Sequence, residues 1–359
     1  MSMNVKAEQL VNFGESVLVA LGVPKPDAFL LSDSLVAAEL WGHSSHGMLR
    51  LPWYVDRIRN GVMKAVTEAV TVVDNGALVV LDGQDGIGQV LTAQMTQLGV
   101  ERARQHGVSA VGVRNSNHFG TAAYFTRHAA KAGCVSFLAT NASPAMAPWG
   151  GREKLIGTNP WSISAPAGRH GVAVMDIANT AVARGKIYLA AERGETIPPT
   201  WAADEQGRPT TNAQDAIHGL ILPMAGHKGY IISFMMDVLA GVLTGSQFGN
   251  GVAGPYDPKR KSGCGHMLIT IDVSGVMPRA EFEERMEALI DQVKAVPAAE
   301  GVSEVFFPGE IEDRQTQEHL RDGIDITANT WDSLTRLAQE SGVALPAHRA
   351  STTTEGVAA

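Results

Sequence analysis

Apolar residues recur at helical spacing from the first turns of the chain. Leu10, Val11, Val17, Leu18 and Leu21 fall on one face of a first predicted helix. After Pro24 and Pro26, the set Leu31, Leu35 and Ala38 repeats that spacing in a second helix, which runs out at Trp41 and Gly42. Residues 69–81, AVTVVDNGALVVL, change character: two β-branched runs about an Asn75-Gly76 turn predict a hairpin, packed on a helix that begins near Gln89. From Val108 the pattern alternates strand-like runs (108–113, 135–139, 162–165 and 172–175) with one clear helix over 121–132, so the middle of the chain reads as α/β or α+β. The Pro- and Gly-rich stretch 196–223 reads as long surface loops that end at a buried apolar helix over 230–243. HMLITIDV at 266–273 then alternates as a half-buried strand, and Phe282, Met286, Leu289, Ile290 and Val293 return to helical spacing. The last stretch, 348–359, has no apolar periodicity and reads as a loose tail.

Composition sharpens this picture. With 359 residues, 45% of them hydrophobic, the chain has material for a large core and for more than one domain. The net charge of −8 comes without a basic run and without aromatic residues interleaved with Lys and Arg, so the footprint of a nucleic-acid binder is missing. An anionic ligand therefore needs a local cationic pocket. The two cysteines, Cys134 and Cys264, form neither a CxxC pair nor a disulfide framework, which favours a reducing compartment. The N-terminal stretch carries polar residues throughout instead of a charged segment followed by an apolar core, and no apolar run approaches the ~18 residues of a membrane span. The expectation is a cytoplasmic protein with no membrane partner.

Five stretches concentrate chemistry. The first is HSSHGMLRLPWYVDRI (43–58), where Ser45, His46 and Arg50 combine a proton exchanger of near-neutral pKa with a guanidinium fork. A hydroxy-acid site needs these groups, Arg50 for the carboxylate and a histidine for the carbinol proton. A helix C-terminus using Arg and His on its carbonyls is the competing account. His43 and His46 also have a metal-ligand spacing, which keeps a metal-dependent hydrolase open, but no Asp, Glu or Cys companion follows and no metal is expected. In the second stretch, 111–133, His118 stands where a polar loop enters a helix, placed for a neutral imidazole that could serve as base. The alternative is a capping cluster of Asn115, Ser116, Asn117 and Thr121. His106, His128, His170 and His218 lie in polar, surface-like contexts.

The third stretch, 140–166, is dense in Gly, Pro and small polar residues, either presenting backbone amides to a pyrophosphate or forming an ordinary turn. The fourth is MDIANTAVARGK (175–186), where Asp176 offers a carboxylate to ribose hydroxyls, or else Asp176 or Asn179 caps a helix. In the fifth, His227 and Lys228 precede an apolar helix and offer positive charge to a phosphate, unless Lys228 is simply solvated. The GxGxxG fingerprint is absent; GQDGIGQV (83–90) has the wrong spacing.

Taken in series, SHGMLR (45–50), NSNHFG (115–120), GTNPWSISAP (157–166), MDIANTAVARGK, IPPTWAADEQGRPTT (197–211), GHKGY (226–230) and FFPGE (306–310) resemble the malate/L-lactate/ureidoglycolate dehydrogenase family across nearly the whole chain. The resemblance implies an α/β protein whose non-Rossmann nucleotide-binding domain has a mixed sheet, beside a helical, α+β substrate and dimerisation region. It implies a helical region over 1–75, a substrate and dimerisation domain from 76–128 and 266–345, an NAD(P)-binding domain over 129–265 and a loose tail over 346–359. It further implies a homodimer that exchanges hydride between NAD, or alternatively NADP, and a small anionic 2-hydroxy or 2-oxo acid such as malate, L-lactate, ureidoglycolate or sulfolactate. An imine or diketo-acid reductase of the same family, running on NADPH, is the alternative. Ser45, His46 and Arg50 would lie on the substrate side. His118 matches the proton acceptor of ureidoglycolate dehydrogenases and would touch the cofactor, whereas diketogulonate reductases give the acid/base role to the residue matching His46. Ala142, Ser143, Asp176, Ile177, Ala178, Asn179, Thr180, Lys228, Gly309 and Glu310 would contact the dinucleotide. Ala142 and Ser143 stand where ureidoglycolate dehydrogenases are expected to carry a Ser-Asp pair, and Glu310 where they carry Gln, which argues against ureidoglycolate as substrate.

Overall fold

The computed structural model describes residues 2–351. The chain opens with a short strand β1 (Met3–Val5) and helices α1 (Ala7–Ala20) and α2 (Lys25–Leu40), as the apolar spacing requires. Leu10, Val17, Leu18, Leu31 and Leu35 are fully buried in one shared cluster. Two 3-10 turns, 44–46 and 48–50, lead into α3 (Leu51–Arg59). The predicted hairpin follows as β2 (Val70–Asn75) and β3 (Leu78–Asp82). Its corner is Gly76-Ala77 instead of Asn75-Gly76, because Asn75 still pairs with Leu78 and Gly76 alone takes positive φ (75°), the pattern of a type II′ turn. Then come α4 (Gly88–His106), β4 (Val108–Ser116), α5 (Ala122–Lys131), β5 (Cys134–Thr140), β6 (Trp161–Pro166) and β7 (Val172–Ile177).

Helix α6 (Arg184–Arg193) follows, and the stretch 196–223 expected to be surface loops departs from that reading in part: strand β8 (Ala202–Ala203), helix α7 (Ala213–His218) and strand β9 (Leu220–Ile221) join α6 in a small satellite. It has its own core of Val182, Ile187, Ile197, Ala202, Ala213 and Ile221. Short elements built on alanine give too little periodicity to stand out among Pro and Gly. Helix α8 (His227–Asp237) continues through a π-helical turn (238–242). It is not the buried helix that its apolar sequence predicts. Gly229, Ser233, Met236 and Ala240 are buried, whereas Ile231, Phe234, Met235, Val242 and Leu243 are 46–63% exposed.

Strand β10 (Cys264–Asp272) is almost wholly buried, more so than a half-buried edge. It is followed by α9 (Arg279–Lys294), of which Ile290 alone is buried, then α10 (Glu310–Asp322), β11 (Ile324–Ile326), α11 (Ala328–Ser341) and β12 (His348–Ala350). Part of the expected loose tail is therefore ordered: β12 pairs with β1, which pairs on its other side with β11. Residues 352–359 lie outside the described residues. No described helix is long and apolar enough to cross a membrane.

The main sheet is mixed, with order β2-β3-β4-β10-β5-β6-β7; β3 runs parallel to β4 and every other neighbour is antiparallel. Helices α4 and α5 supply Leu91, Met95, Ala122 and Phe125 to a core shared with Val79, Val111, Val113, Leu138 and Leu268 of the sheet. The strand directions place the ends of β3, β4, β5 and β7 and the start of β10 at one end of the sheet, since Cys264 pairs with Ser116, His266 with Thr140, and Trp161 with both Ala139 and Ile177. Every loop singled out for chemistry in 83–89, 116–121, 140–143 and 176–180 leaves from that end.

Gly265, at the bulge that opens β10, makes this closeness possible: a Cβ there would lie 1.7 Å from the Ala240 carbonyl oxygen of the π turn. Gly265→Ala is expected to cost about 3 kcal/mol, seen as a lower urea midpoint. A loss within about 0.5 kcal/mol would contradict the packing.

Candidate active site

Two chain segments bring the reactive side chains together. The turns after α2 carry His46, and Glu39, buried on α2, fixes their path by accepting the Met48 amide at 2.8 Å. Burial raises the Glu39 carboxyl to about 7. The loop after β4 carries His118, whose ring stacks on that of His46 with centroids 5.9 Å apart and planes 19° from parallel. The Ser45 hydroxyl lies 3.0 Å from His46 Nδ1. Arg50 donates through Nε to the Ser45 carbonyl (2.6 Å) and lies 4.3 Å over the Trp53 ring. Among the described residues, no carboxylate is within ion-pair reach of Arg50, so the rest of its fork is unspent.

Desolvation first, then the charge of Arg50, holds both imidazoles neutral: His46 falls to about 3, and His118 falls well below its ordinary value. The helix end invoked from the sequence is not the reason, because α5 begins only at Ala122. Its first amides are met by Asp176 Oδ2, which accepts from Ala123 at 2.7 Å. Capping thus falls to Asp176 from across the sheet and not to Thr121, whose hydroxyl is buried without a partner.

Three features were not read from the sequence. Tyr54 places its hydroxyl 2.7 Å from His118 Nδ1, and the Gly120 amide reaches the same nitrogen at 3.2 Å. Arg57, almost fully buried, donates to Asn117 Oδ1 (2.9 Å) and to the carbonyl of Asp257, tying the His118 loop to the segment before β10. Arg50, Tyr54 and Arg57 stand at i, i+4 and i+7, one face of α3 and its entry, and that spacing was the available signal. The third is the glycine loop 83–88. Its Gly88 is spent on close packing: a Cβ there would lie 2.3 Å from the Asn117 carbonyl oxygen and 2.5 Å from that of His118. Asn117 also donates to the carbonyls of Asp85 and Gly86. The loop is a seat for His118.

The residues expected to meet a dinucleotide fall into two groups. Ala142, Ser143, Asp176, Ile177 and Ala178 follow β5 or end β7, at the same end of the sheet as His118. The Ser143 hydroxyl lies 3.2 Å from that of Tyr256, whose ring meets Trp53 edge-on at 6.1 Å. This tier links the Arg50 side to the Ser143 side. Asn179 is fully buried and spends its amide on Trp161 Nε1 and on the carbonyls of Thr158 and Asn159. Thr180 is bridged to Pro223 and Lys228 is exposed on the first turn of α8. Gly309 and Glu310 lie farther out, beside β7, where Pro308 accepts the Val174 amide. The Glu310 carboxylate is held there by Lys294 (2.8 Å) and Arg314 (2.6 Å).

Residues 5–335 match the profile described as malate/L-lactate dehydrogenase. The chain belongs to the malate/L-lactate dehydrogenase family. It is 35% identical over 343 residues to the L-sulfolactate dehydrogenase of Methanothermobacter thermautotrophicus, covering 96% of this chain and 98% of that one. Hydroxycarboxylate dehydrogenase B of Escherichia coli K12 is 33% identical over 343 residues, 94% of each chain. The structure of sulfolactate dehydrogenase from Methanocaldococcus jannaschii superposes with a TM-score of 0.90 at 34% identity, over 96% of this chain and 98% of that one. Membership bears out the resemblance drawn from the seven motifs and implies a nicotinamide cofactor.

Within this family member the donor set suits such a cofactor. A carboxylate (Asp176), a hydroxyl (Ser143) and exposed backbone at Ala178 line the sheet end next to His118. Among the described residues, no group of three or more His, Cys, Asp or Glu is placed to hold a metal. His43 instead faces Glu312 at 3.7 Å.

Behind His118, His266 is buried completely between Thr140 Oγ1 (2.8 Å) and Ser116 Oγ (2.7 Å), and burial lowers it to about 3. Its unfolded pKa is ~6.5, so between these values the unfolded chain binds the extra proton. The stability is whole above about pH 6.5 and is lost as pH falls, by about 1.4 kcal/mol per pH unit. Urea unfolding from pH 6.5 to 4.5 should show His266→Gln losing stability less steeply than the parent by that amount; equal slopes would contradict a neutral buried His266.

Proposed function

We propose that this chain oxidises a small 2-hydroxy acid with NAD(P), reversibly, at the His46–His118 pair. The observation that carries the reading is a half-buried guanidinium, Arg50, with no carboxylate of its own, beside two imidazoles held neutral. A desolvated fork of this kind fits a substrate carboxylate in two charge-assisted bonds. When bound, the nicotinamide supplies the acceptor for the hydride that leaves C2.

The proton is the protein's task. With Nδ1 accepting from the Gly120 amide at 3.2 Å, the free ring keeps its proton on Nε2. To take the carbinol proton at Nε2, His118 must first move that proton to Nδ1, exchanging the Gly120 bond for one donated to Tyr54 Oη, 2.7 Å away. The Arg50 charge follows desolvation as the next cause of the low His118 pKa, so a carboxylate seated on Arg50 offsets that charge. Substrate binding thereby strengthens the base that the substrate needs. His46, stacked on the other face and bonded to Ser45, walls the site. Loss of the C2 hydride and the hydroxyl proton leaves a 2-oxo acid, and the reverse direction uses the same two nitrogens.

The cofactor assignments extend this reading: the 142–143 and 176–180 segments, with Lys228, line the dinucleotide, and Gly309 with Glu310 closes its outer side. They go with a nucleotide-binding segment over 129–265, of non-Rossmann type because the glycine loop serves His118 and the sheet is largely antiparallel. The 76–128 and 266–345 segments carry substrate and subunit contacts, and strands from both segments share one sheet. A second copy of the chain would cover the apolar strip of α8 and its π turn.

Absorbance at 340 nm with NAD and NADP in turn, across malate, L-lactate, sulfolactate and ureidoglycolate, tests the reading. Reduction with at least one acid is expected, and absence of dinucleotide binding would sink it. Arg50→Lys should raise KM roughly 10- to 100-fold with a smaller effect on kcat, and an unchanged KM removes Arg50 from the anchor role. Tyr54→Phe should lower kcat about tenfold or more and displace its pH profile; a parent-like profile removes Tyr54 from the proton path.

A further inference from the structure

Gln89, in the first turn of α4, is fully buried, yet among the described residues neither its Oε1 nor its Nε2 completes a hydrogen bond. A carboxamide offers both donors and an acceptor, and leaving them unpaired away from water costs the fold stability. The residue stands beside the reactive groups. Gly88, just before it, packs on the Asn117 and His118 carbonyls. Burial pushes the Tyr54 hydroxyl up to about 12, and the Gln89 amide is among the groups close enough to oppose that rise.

While His118 Nδ1 is an acceptor, Tyr54 can spend its one hydroxyl hydrogen on that nitrogen, 2.7 Å away. Once Nδ1 carries a proton, the phenol oxygen accepts from it, and the hydroxyl hydrogen must turn to another acceptor. Of the other side chains that act on Tyr54, Arg50 and Arg57 only donate, and Cys264 is a weak acceptor whose sulfur lies 3.2 Å from Ser262 Oγ. Around the ring, His46 Nδ1 meets Ser45, and both nitrogens of His266 are taken by Thr140 and Ser116. Gln89 Oε1 is the strong side-chain acceptor that remains.

We propose that Gln89 is a positioning residue of the proton path, its Oε1 accepting the Tyr54 hydroxyl hydrogen whenever His118 Nδ1 is protonated. The inference rests on the proton path given under the proposed function. No further proton is lost or gained: the carbinol proton ends on Nε2, the other ring proton stays on Nδ1, and Tyr54 keeps its own while changing partner. Without Gln89, the ring with a bare Nδ1 still satisfies Tyr54, whereas the imidazolium leaves Tyr54 with a buried, unpaired donor. Gln89 therefore favours the protonated ring selectively, and an amide that is unpaired at rest finds its partner in the reacting state.

Gln89→Met, similar in length but without the amide, tests this alongside Tyr54→Phe and the double variant, each assayed with the acid and cofactor that give the parent its highest rate. Gln89→Met should lower kcat roughly 10- to 100-fold with KM little changed. Its urea midpoint should match or exceed the parent's, because an unpaired buried amide has been removed. The His118 pKa, read by nitrogen-15 NMR with oxamate bound, should fall below the parent's. In the Tyr54→Phe background, where no hydroxyl needs an acceptor, the same substitution should cost little further rate. Equal losses in both backgrounds would make Gln89 a packing residue and overturn the proposal. So would a parent-like kcat or His118 pKa in Gln89→Met while Tyr54→Phe is impaired. A parent-like Tyr54→Phe would overturn the proton path and this inference with it.

Discussion

The site depends on the insertion of β10 between β4 and β5. A strand from residues 264–272 returns across well over a hundred residues of chain to pair antiparallel with both neighbours. That pairing sets their ends side by side. Without it, the His118 loop after β4 and the Ala142-Ser143 loop after β5 would have no common edge. The bulge at Gly265 lets the π turn of α8 lie against the same point, and Asn141 fastens the crossing by accepting the Gly265 amide at 2.9 Å and donating to Asp237 at 2.8 Å. A sheet built from such distant pairings is slow to assemble.

Electrostatics then gives those loops their chemistry. Arg50 and Arg57 rise from one helix face into the same region, but they are used differently. Arg57 is saturated by Asn117 and by backbone carbonyls, and so acts as a strut. Arg50 retains most of its donors, and its positive charge adds to desolvation in keeping the adjacent imidazoles neutral. In the proposed reaction, the group that binds the carboxylate also contributes, after desolvation, to setting the basicity of the group that removes the proton.

Much of this was legible in the sequence and some was not, for physical reasons. Long periodic elements such as α1, α2 and β10 declared themselves through apolar spacing, and the motifs around His46 and His118 through clustered polar chemistry. The satellite stayed hidden because its core is alanine and isoleucine on elements of two to ten residues. The exposed strip of α8 was read as buried because composition reports how apolar a helix is, not whether anything covers its second face. The charge argument passed over the short basic run Lys259-Arg260-Lys261 before β10, where Lys261 pairs with Asp85. Glycine loop 83–88 was weighed only as a phosphate binder. Its actual work, seating the His118 carbonyls, depends on a contact thirty residues away that no local spacing encodes. Tyr54 was within reach, since its position four residues after Arg50 is visible in the string.

The most direct test of the central claim is a titration of the His118 ring by nitrogen-15 NMR, free and with oxamate, an unreactive 2-oxo-acid analogue. The account predicts that the ring of the free protein stays neutral well below its ordinary pKa of 6.5, and that this pKa moves upward once the carboxylate sits on Arg50. An imidazolium at pH 7 in the free protein, or a pKa that oxamate leaves in place, would contradict it.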